Sequence, residues 1–304
     1  MNSINSISEF HRLVSLPEPL HPLVSVVRVA DMRFTNNKVW EHFSLDFFCI
    51  SLKRDVVGKV KYGQQFYDYD KGLMTFIAPR QVQTLDTPHA EILGPEAGTG
   101  YALLIQPDFL FKHPLSASIK NYGFFSYAVN EALHLSEKEE KNMVEIFEKI
   151  DAEYQHIDKH TQDIILSQID LLLNYSNRFY NRQFITRKSI HNDLIGRMNI
   201  FLSDRFDQQK TSLTGLPSVQ EVSDHLQVSP RYLTDMLKSL TGQSAQQHIH
   251  NQLVERAKNR LTNTTLTIAE IAYNLGFEHP QSFNKLFKQK TNISPLEFRQ
   301  SFHQ

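Results

Sequence analysis

One cysteine in 304 residues rules out an intrachain disulfide. That residue, Cys49, lies in the apolar run Phe47-Phe48-Cys49-Ile50 and reads as a buried, inert thiol. A chain without disulfides suits a reducing compartment, so cytoplasm is the expectation. Long apolar runs are missing too. None approaches the roughly 20 residues that span a bilayer, and no membrane association is expected. The N-terminus, MNSINSISEF, has neither the basic patch nor the apolar stretch of a signal peptide. Nor is there a Gly-rich phosphate loop or a Ser/His/Asp pattern for nucleophilic catalysis. The strand-rich half lacks the clustered His and Glu ligands of a metal enzyme: His42 and His89 stand apart, with Glu41 and Glu91 as their acidic neighbours. His248 and His250, two apart on a helix, point in different directions. No catalytic residue, metal ligand or cofactor is assigned, and an enzyme is not expected. A strong charge of either sign is also absent, since the formal net charge is −1. The balance is uneven along the chain, however. Residues 187–304 carry 14 Lys/Arg against 10 Asp/Glu, and residues 1–186 carry 18 against 23. A basic tail beside an acidic partner domain suits contact with nucleic acid.

What the chain does contain is a repeat. Ser218, Glu221, Val222, Leu226 and Val228 meet Thr267, Glu270, Ile271, Leu275 and Phe277, each 49 positions later. After one inserted residue, Leu233, Leu237 and Thr241 meet Phe283, Phe287 and Thr291 at a spacing of 50. Each copy opens with a capping box, Ser218-x-x-Glu221 or Thr267-x-x-Glu270. A short amphipathic helix follows, then a turn at Gln227 or Gly276, then a second helix that begins with Pro230 or Pro280. Leu233, Leu237 and Leu240 form the inward stripe of one second helix, and Phe283, Leu286 and Phe287 that of the other. Removing these leaves Arg231, Thr234, Asp235 and Lys238 outward in copy one, and Gln281, Ser282, Lys285 and Lys288 in copy two. Arginine pairs with guanine, glutamine with adenine, and aspartate accepts from cytosine, while lysines near helix ends suit phosphates. Between the copies, Ser244-x-x-Gln247 caps a helix over about 245–261 that would set the distance between two readers.

The first half reads differently. Leu23–Val29, Leu45–Leu52, Val56–Tyr62, Gly72–Ile77 and Tyr101–Ile105 are β-branched and aromatic runs, separated by turn residues such as Gly94-Pro95. A small barrel or jelly roll is expected, with Trp40, Phe47, Phe48, Tyr62, Phe66, Tyr67, Tyr69 and Phe76 as pocket aromatics. Arg28, Arg33, Arg54 and Arg80 are the candidates to meet an anionic effector. A capped helix over 136–157 and an apolar helix over 161–180 follow. The second carries apolar residues on more than one side, which favours a subunit interface. Asn181–Lys188 reads as a linker, and a further helix covers about 189–206.

The segment Ile271–Arg299, IAYNLGFEHPQSFNKLFKQKTNISPLEFR, resembles the DNA-binding domain of the AraC/XylS transcription regulators. The likeness covers about residues 190–302 and implies a bipartite DNA reader of seven helices. It places the family's base-reading positions on Arg231, Thr234 and Asp235, and on Pro280, Gln281, Ser282 and Lys285. Two positions depart from the pattern: Asn292 replaces a glycine, and Gln252 replaces an arginine of the linker helix. The first half resembles the family's cupin-like sensor in architecture, at Gly72–Gln83 and in the two helices behind it.

The expectation is thus an α+β multidomain protein. Residues 1–135 form a cupin-like sensor of β-barrel or jelly-roll type. Residues 136–186 form a helical dimerisation region and linker, and residues 187–304 an all-α domain with two helix-turn-helix units. The expected partners are double-stranded DNA, a second copy of the chain, a small-molecule effector and RNA polymerase. A regulator without a ligand, and a cupin-type enzyme fused to a DNA-binding domain, are the alternatives.

Overall fold

The computed structural model describes residues 2–34, 37–54, 56–62, 65–69, 72–83, 99–128, 131–207 and 215–302, with backbone alone at 37–38, 56–62, 65–69, 188–190 and 207. The chain divides into two units, Met1–Gln183 and Phe184–Gln304.

In the first unit, β1 (Asn2–Ile4) leads into α1 (Ile7–Leu13), where the Ser6 side chain accepts the Glu9 N–H. The strand β2 (Val24–Arg28), the short helix α2 (Asn37–Trp40) and β3 (Phe43–Leu45) follow. Next come β4 (Phe48–Arg54), β5 (Val56–Tyr62), β6 (Gln65–Tyr69), β7 (Leu73–Ile77) and β8 (Thr99–Ile105). The unit continues with α3 (Leu115–Ser118), β9 (Leu133–His134), α4 (Glu137–Gln155) and α5 (Thr161–Thr186), whose last residues pass into the second unit. The apolar run expected as one strand from Leu45 is broken: β3 ends there, and Asp46 N–H donates to Ile4 of the N-terminal segment at 2.9 Å.

The main sheet is antiparallel in the order β2-β8-β4-β7-β9. Because side chains alternate along a strand, its two faces are built from different residues. Phe48 and Phe76 meet Phe125 on one face, and Tyr101 stacks on Phe147 of α4 at 5.5 Å. The other face packs against Ile7, Phe10, Trp40 and Phe43 of the N-terminal segment. Among the described residues this sheet is open, so β2 and β9 are edges rather than neighbours in a closed barrel.

These two faces separate the expected pocket aromatics. Trp40 and Phe47 lie in the N-terminal cluster, whereas Phe48 and Phe76 are on the helix side. The side chains of Tyr62, Phe66, Tyr67 and Tyr69, together with Gly94-Pro95, His89 and Glu91, lie outside the described residues. The four arginines do not converge either. Arg54 pairs with Glu140 of α4, Arg80 is exposed beside Asp46 at 3.5 Å, and Arg33 caps the carbonyl of Ala30 at 2.7 Å. Arg28 belongs to the rim of an open cleft with His11, Asp31 and Asp151.

The helix α4 carries the complete capping box predicted at Ser136 and Glu139. Its buried stripe is Met143, Ile146, Phe147, Ile150 and Tyr154. Along α5, Ile165, Leu166, Ile169, Leu172 and Leu173 are buried within the chain, while Ile164 and Leu171 remain exposed.

The second unit holds seven helices among the described residues. They are α6 (Lys188–Asp207), α7 (Val219–Leu226), α8 (Pro230–Thr241), α9 (Ala245–Asn263), α10 (Ile268–Asn274), α11 (Pro280–Thr291) and α12 (Pro295–Phe302). The segment read as a linker is helical instead: α5 runs to Thr186 and α6 starts at Lys188. Buried Gln183 and Phe184 are the reason, since Gln183 accepts from His134 N–H at 2.8 Å and the Phe184 carbonyl meets His191 Nδ1 at 2.8 Å. The strut of the unit is α9, which buries Ile249, Leu253, Val254, Ala257 and Leu261. It contacts every other helix of the unit from α6 to α12.

Candidate nucleic-acid interface

Two helix pairs, α7–α8 and α10–α11, present the outward residues. In the first, the Ser218 hydroxyl accepts from Glu221 N–H at 3.1 Å, which holds the start of α7. The expected return leg of that capping box is replaced. The Glu221 carboxylate meets Arg205 Nε of α6 at 2.7 Å, because the largely buried guanidinium needs an anion. In the second pair the box at Thr267 and Glu270 is complete. Its hydrogen bonds hold the Glu270 carboxyl below the usual range.

The turns differ by the inserted residue. Three residues separate Leu226 from Pro230, and four separate Leu275 from Pro280. Gln227 adopts the left-handed region at φ 59°, which costs a side-chain-bearing residue energy, whereas Gly276 occupies φ 92° freely. The helix α8 then starts on Ser229, whose hydroxyl accepts from Tyr232 N–H at 3.2 Å. The start of α11 is His279, which supplies no side-chain cap.

Inward packing is as expected at Leu233, Leu237, Phe283 and Phe287, all buried. Leu240 and Leu286 are only half-buried. Tyr232 and Met236 complete the buried face of α8: Tyr232 is fully buried, and its hydroxyl lies 3.2 Å from His191 Nε2. The stripe Leu233, Leu237 and Leu240 leaves out Tyr232 and Met236, which lie four apart and are both buried, and nothing local joins Tyr232 to His191, 41 residues away. Burial lowers the His191 pKa below its ordinary value, against a smaller opposing effect of the Phe184 carbonyl.

The outward residues fall into two sets. On α8, Arg231 and Lys238 are exposed and Thr234 and Asp235 half-buried. Arg231 Nε and Asp235 Oδ2 form an ion pair at 2.8 Å across one helical turn. These two residues, expected to act separately on guanine and cytosine, are therefore one unit in the free protein. On α11, Gln281, Ser282, Lys285 and Lys288 are all exposed. The side chains of Gln281, Ser282 and Lys285 make no hydrogen bond or ion pair among the described residues, so their donors face solvent. Pro280 heads the helix and offers no polar group. Asn292 ends it in the left-handed region at φ 67°, the conformation expected where a glycine is replaced.

Gln252, the second departure, donates to Asn199 of α6 at 2.6 Å and so joins the strut to its neighbour. Lys290 is likewise tied down, 2.8 Å from Asn251 of α9. His248 and His250 are occupied locally, by Thr241 and Gln246. Among the described residues no group of three or more His, Cys, Asp and Glu could hold a metal ion. No helix there is long and apolar enough to cross a membrane.

Residues 222–301 match the family model described as a helix-turn-helix domain. The chain is 36% identical over 81 residues to the xylose operon regulatory protein of Haemophilus influenzae, which covers 27% of this chain and 21% of that protein. It is 32% identical over 81 residues to the arabinose operon regulatory protein of Escherichia coli, covering 27% of this chain and 28% of that one. These matches thus span well under half of the relatives' own length. Among solved structures, the C-terminal domain of AraT, a response regulator from Geobacillus stearothermophilus, is 28% identical. That likeness covers 36% of this chain and 84% of that one, with a TM-score of 0.31.

Proposed function

We propose that this chain, a member of the AraC/XylS regulators by its C-terminal domain, is a sequence-specific DNA-binding transcription regulator. The observation that carries the reading is the pair of capped helix-turn-helix units braced by one strut helix, α9, each with a polar outward face. In the proposed complex α8 and α11 enter successive major grooves, about one turn of B-DNA apart. Arg231, Thr234 and Asp235 read bases from α8, and Gln281, Ser282 and Lys285 from α11. Lys238 and Lys288, near the helix ends, take phosphates. The two faces differ in chemistry, so one protomer reads two unlike half-motifs.

The experiment is selection of bound duplexes from a random pool, then anisotropy titrations on the selected site and its single-base variants. Arg231→Ala is expected to cost about 1–3 kcal/mol and to relax preference at one base pair. Lys288→Ala weakens binding to all sequences alike and lowers the salt slope. A uniform loss from Arg231→Ala would make it a phosphate contact and remove it from base reading.

The remaining roles are assigned as follows. Residues 1–135 are the sensor, of cupin-like type, 136–186 the dimerising helices, and 187–304 the DNA reader. The open antiparallel sheet with a covered inner face supports the sensor reading. The exposed Ile164 and Leu171 on α5, spaced two helical turns apart, support dimerisation. Sedimentation of the full chain is expected to show a dimer, and the double change Ile164→Glu with Leu171→Glu a monomer. An unchanged dimer would place the interface elsewhere. The protein is assigned to the cytoplasm as a regulator rather than an enzyme, with RNA polymerase as a partner at the promoter. A small-molecule effector controls it only by binding two states of the protein with different affinity.

A further inference from the structure

Between the inner face of the main sheet and the N-terminal cover lies a cavity of about 160 Å³. Phe10, Met32, Phe34, Phe43 and Ile77 make most of its wall apolar. Two polar groups stand out against that wall. One is Lys53 of β4, which lines the cavity and forms no ion pair among the described residues. No Asp or Glu is among the described residues that line the space. Gly100, the cross-strand neighbour of Lys53 on β8, adds no side chain at that end. The other group is the indole of Trp40, buried, with an Nε1–H that has no hydrogen-bond partner among the described residues.

The other polar groups that line the cavity supply no anion, and Gln83, buried there, is a neutral amide. Ser51 and Thr75 hydrogen-bond to each other at 2.6 Å. Cys49 is held neutral, because burial pushes its thiol up to about 12 against the smaller effect of Lys53. Burial in turn lowers the pKa of Lys53. An ammonium in an apolar chamber without an anion is unfavourable, and an anion that brings its own apolar body relieves it. Size bounds that body. An apolar cavity of about 150 Å³ accommodates a benzene ring, and drug-sized ligands need about 300 Å³ or more.

We propose that this cavity binds a compact monocarboxylate, its carboxylate on Lys53, its apolar body among the aromatic walls, and Trp40 Nε1 as a further donor. The proposal rests on the effector reading and names the effector's chemical class. None of the four arginines singled out in the sequence serves here. The lysine that does was hidden inside a strand, and its place became visible only when Cys49, Ser51 and Lys53 fell on one face.

The test uses the full-length protein and calorimetry with phenylacetate and 3-methylbutanoate, each beside its primary amide. The acids are expected to bind at least about tenfold tighter than the amides, as a charge-assisted contact requires. Lys53→Met brings that ratio to about one, and Lys53→Arg, which keeps the charge, retains it. Trp40→Phe weakens the acids about two- to tenfold, and the amides, whose carbonyl also accepts, by less. Equal binding of acid and amide, no binding of either, or a preference that survives in Lys53→Met overturns the proposal. DNA affinity measured with and without each compound separates this from effector control. Amides that bind as tightly as the acids and shift DNA affinity overturn the carboxylate class and leave effector control standing. Acids that bind through Lys53 without changing DNA affinity support the site and remove effector control.

Discussion

The two helix-turn-helix units share their inward positions and differ in how their outward faces are held. In the first, Ser229 caps the second helix, Tyr232 bonds to buried His191, Glu221 holds Arg205, and Arg231 is paired with Asp235. In the second, His279 gives no cap, and Phe277, Phe283, Phe287 and Phe298 form an aromatic chain with centroids 5.5–5.8 Å apart. Its outward face carries Lys285 and Lys288 with no acidic partner on the same helix. A duplication keeps what the core demands, because volume and shape must fill one interior. It leaves the outward face free to diverge. The first pair comes out with its arginine paired across the outward face, the second with an outward face that is cationic and a second helix that starts without a side-chain cap. More of the salt dependence of DNA binding is therefore expected from the second unit.

The largest test of that contrast is the buried pair in the first unit. Tyr232→Phe leaves a buried histidine nitrogen without its partner and is expected to cost about 1–3 kcal/mol of stability. The same site predicts a pH dependence. The folded-state pKa of His191 lies below the unfolded value, so the unfolded chain binds more protons. Stability is therefore full above the unfolded pKa of about 6.5 and falls as pH drops through and below it. Partly buried His248 and His250, also lowered by burial, act in the same direction. His191→Gln should flatten chemical denaturation midpoints measured between about pH 7 and 5. A slope that persists undiminished would assign it to other groups.

The caps offer a smaller and symmetrical test. Ser229→Ala removes the hydrogen bond to Tyr232 N–H and should lower stability by about 1 kcal/mol. His279→Ser supplies the cap that the second unit lacks and should raise stability by on the order of 0.5 kcal/mol. Both are read from thermal denaturation of the full chain. If the two changes have the same sign, the units do not differ in the way their helix starts suggest.

Much of the helical structure was legible in the sequence because it rests on local chemistry. The caps at Ser136, Ser244, Thr267 and Ser294, the prolines at helix starts, and the stripes Leu233/Leu237 and Phe283/Phe287 each follow from residues a few positions apart. What could not be read was long-range competition. Glu221 had two uses available, a cap or a partner for Arg205 sixteen residues away, and only tertiary proximity chooses between them. The segment through Gln183 and Phe184 looks polar enough for a linker, yet contacts with His134 and His191 keep it helical. In Met1–Gln183 the strands were visible by composition, but not that their sheet stays open among the described residues. Alternation of side chains shows that a strand has two faces and does not show what covers each one. Lys53 was missed for that reason.

The ion pair on α8 gives the finest discrimination between the two readers. An exposed pair at this spacing contributes only about 0.3–0.5 kcal/mol to stability, so Asp235→Ala should barely move the denaturation midpoint. Its effect on DNA is of another kind. With the carboxylate present, Arg231 is held in one orientation, and a negative charge stays on the groove face to oppose phosphate contacts made without base recognition. Removing it frees the guanidinium and adds one net positive charge. Binding to random duplex should tighten while the selected site loses the base contact assigned to Asp235, so the ratio between them narrows. Lys285→Ala on the unpaired second face should weaken both duplexes and also narrow the ratio if Lys285 touches a base. Anisotropy titrations of the two variants on both duplexes distinguish the cases. An Asp235→Ala protein with its discrimination intact would mean that the pair serves the helix and not the reading of DNA. The first unit would then owe its specificity to Thr234 and Arg231 alone.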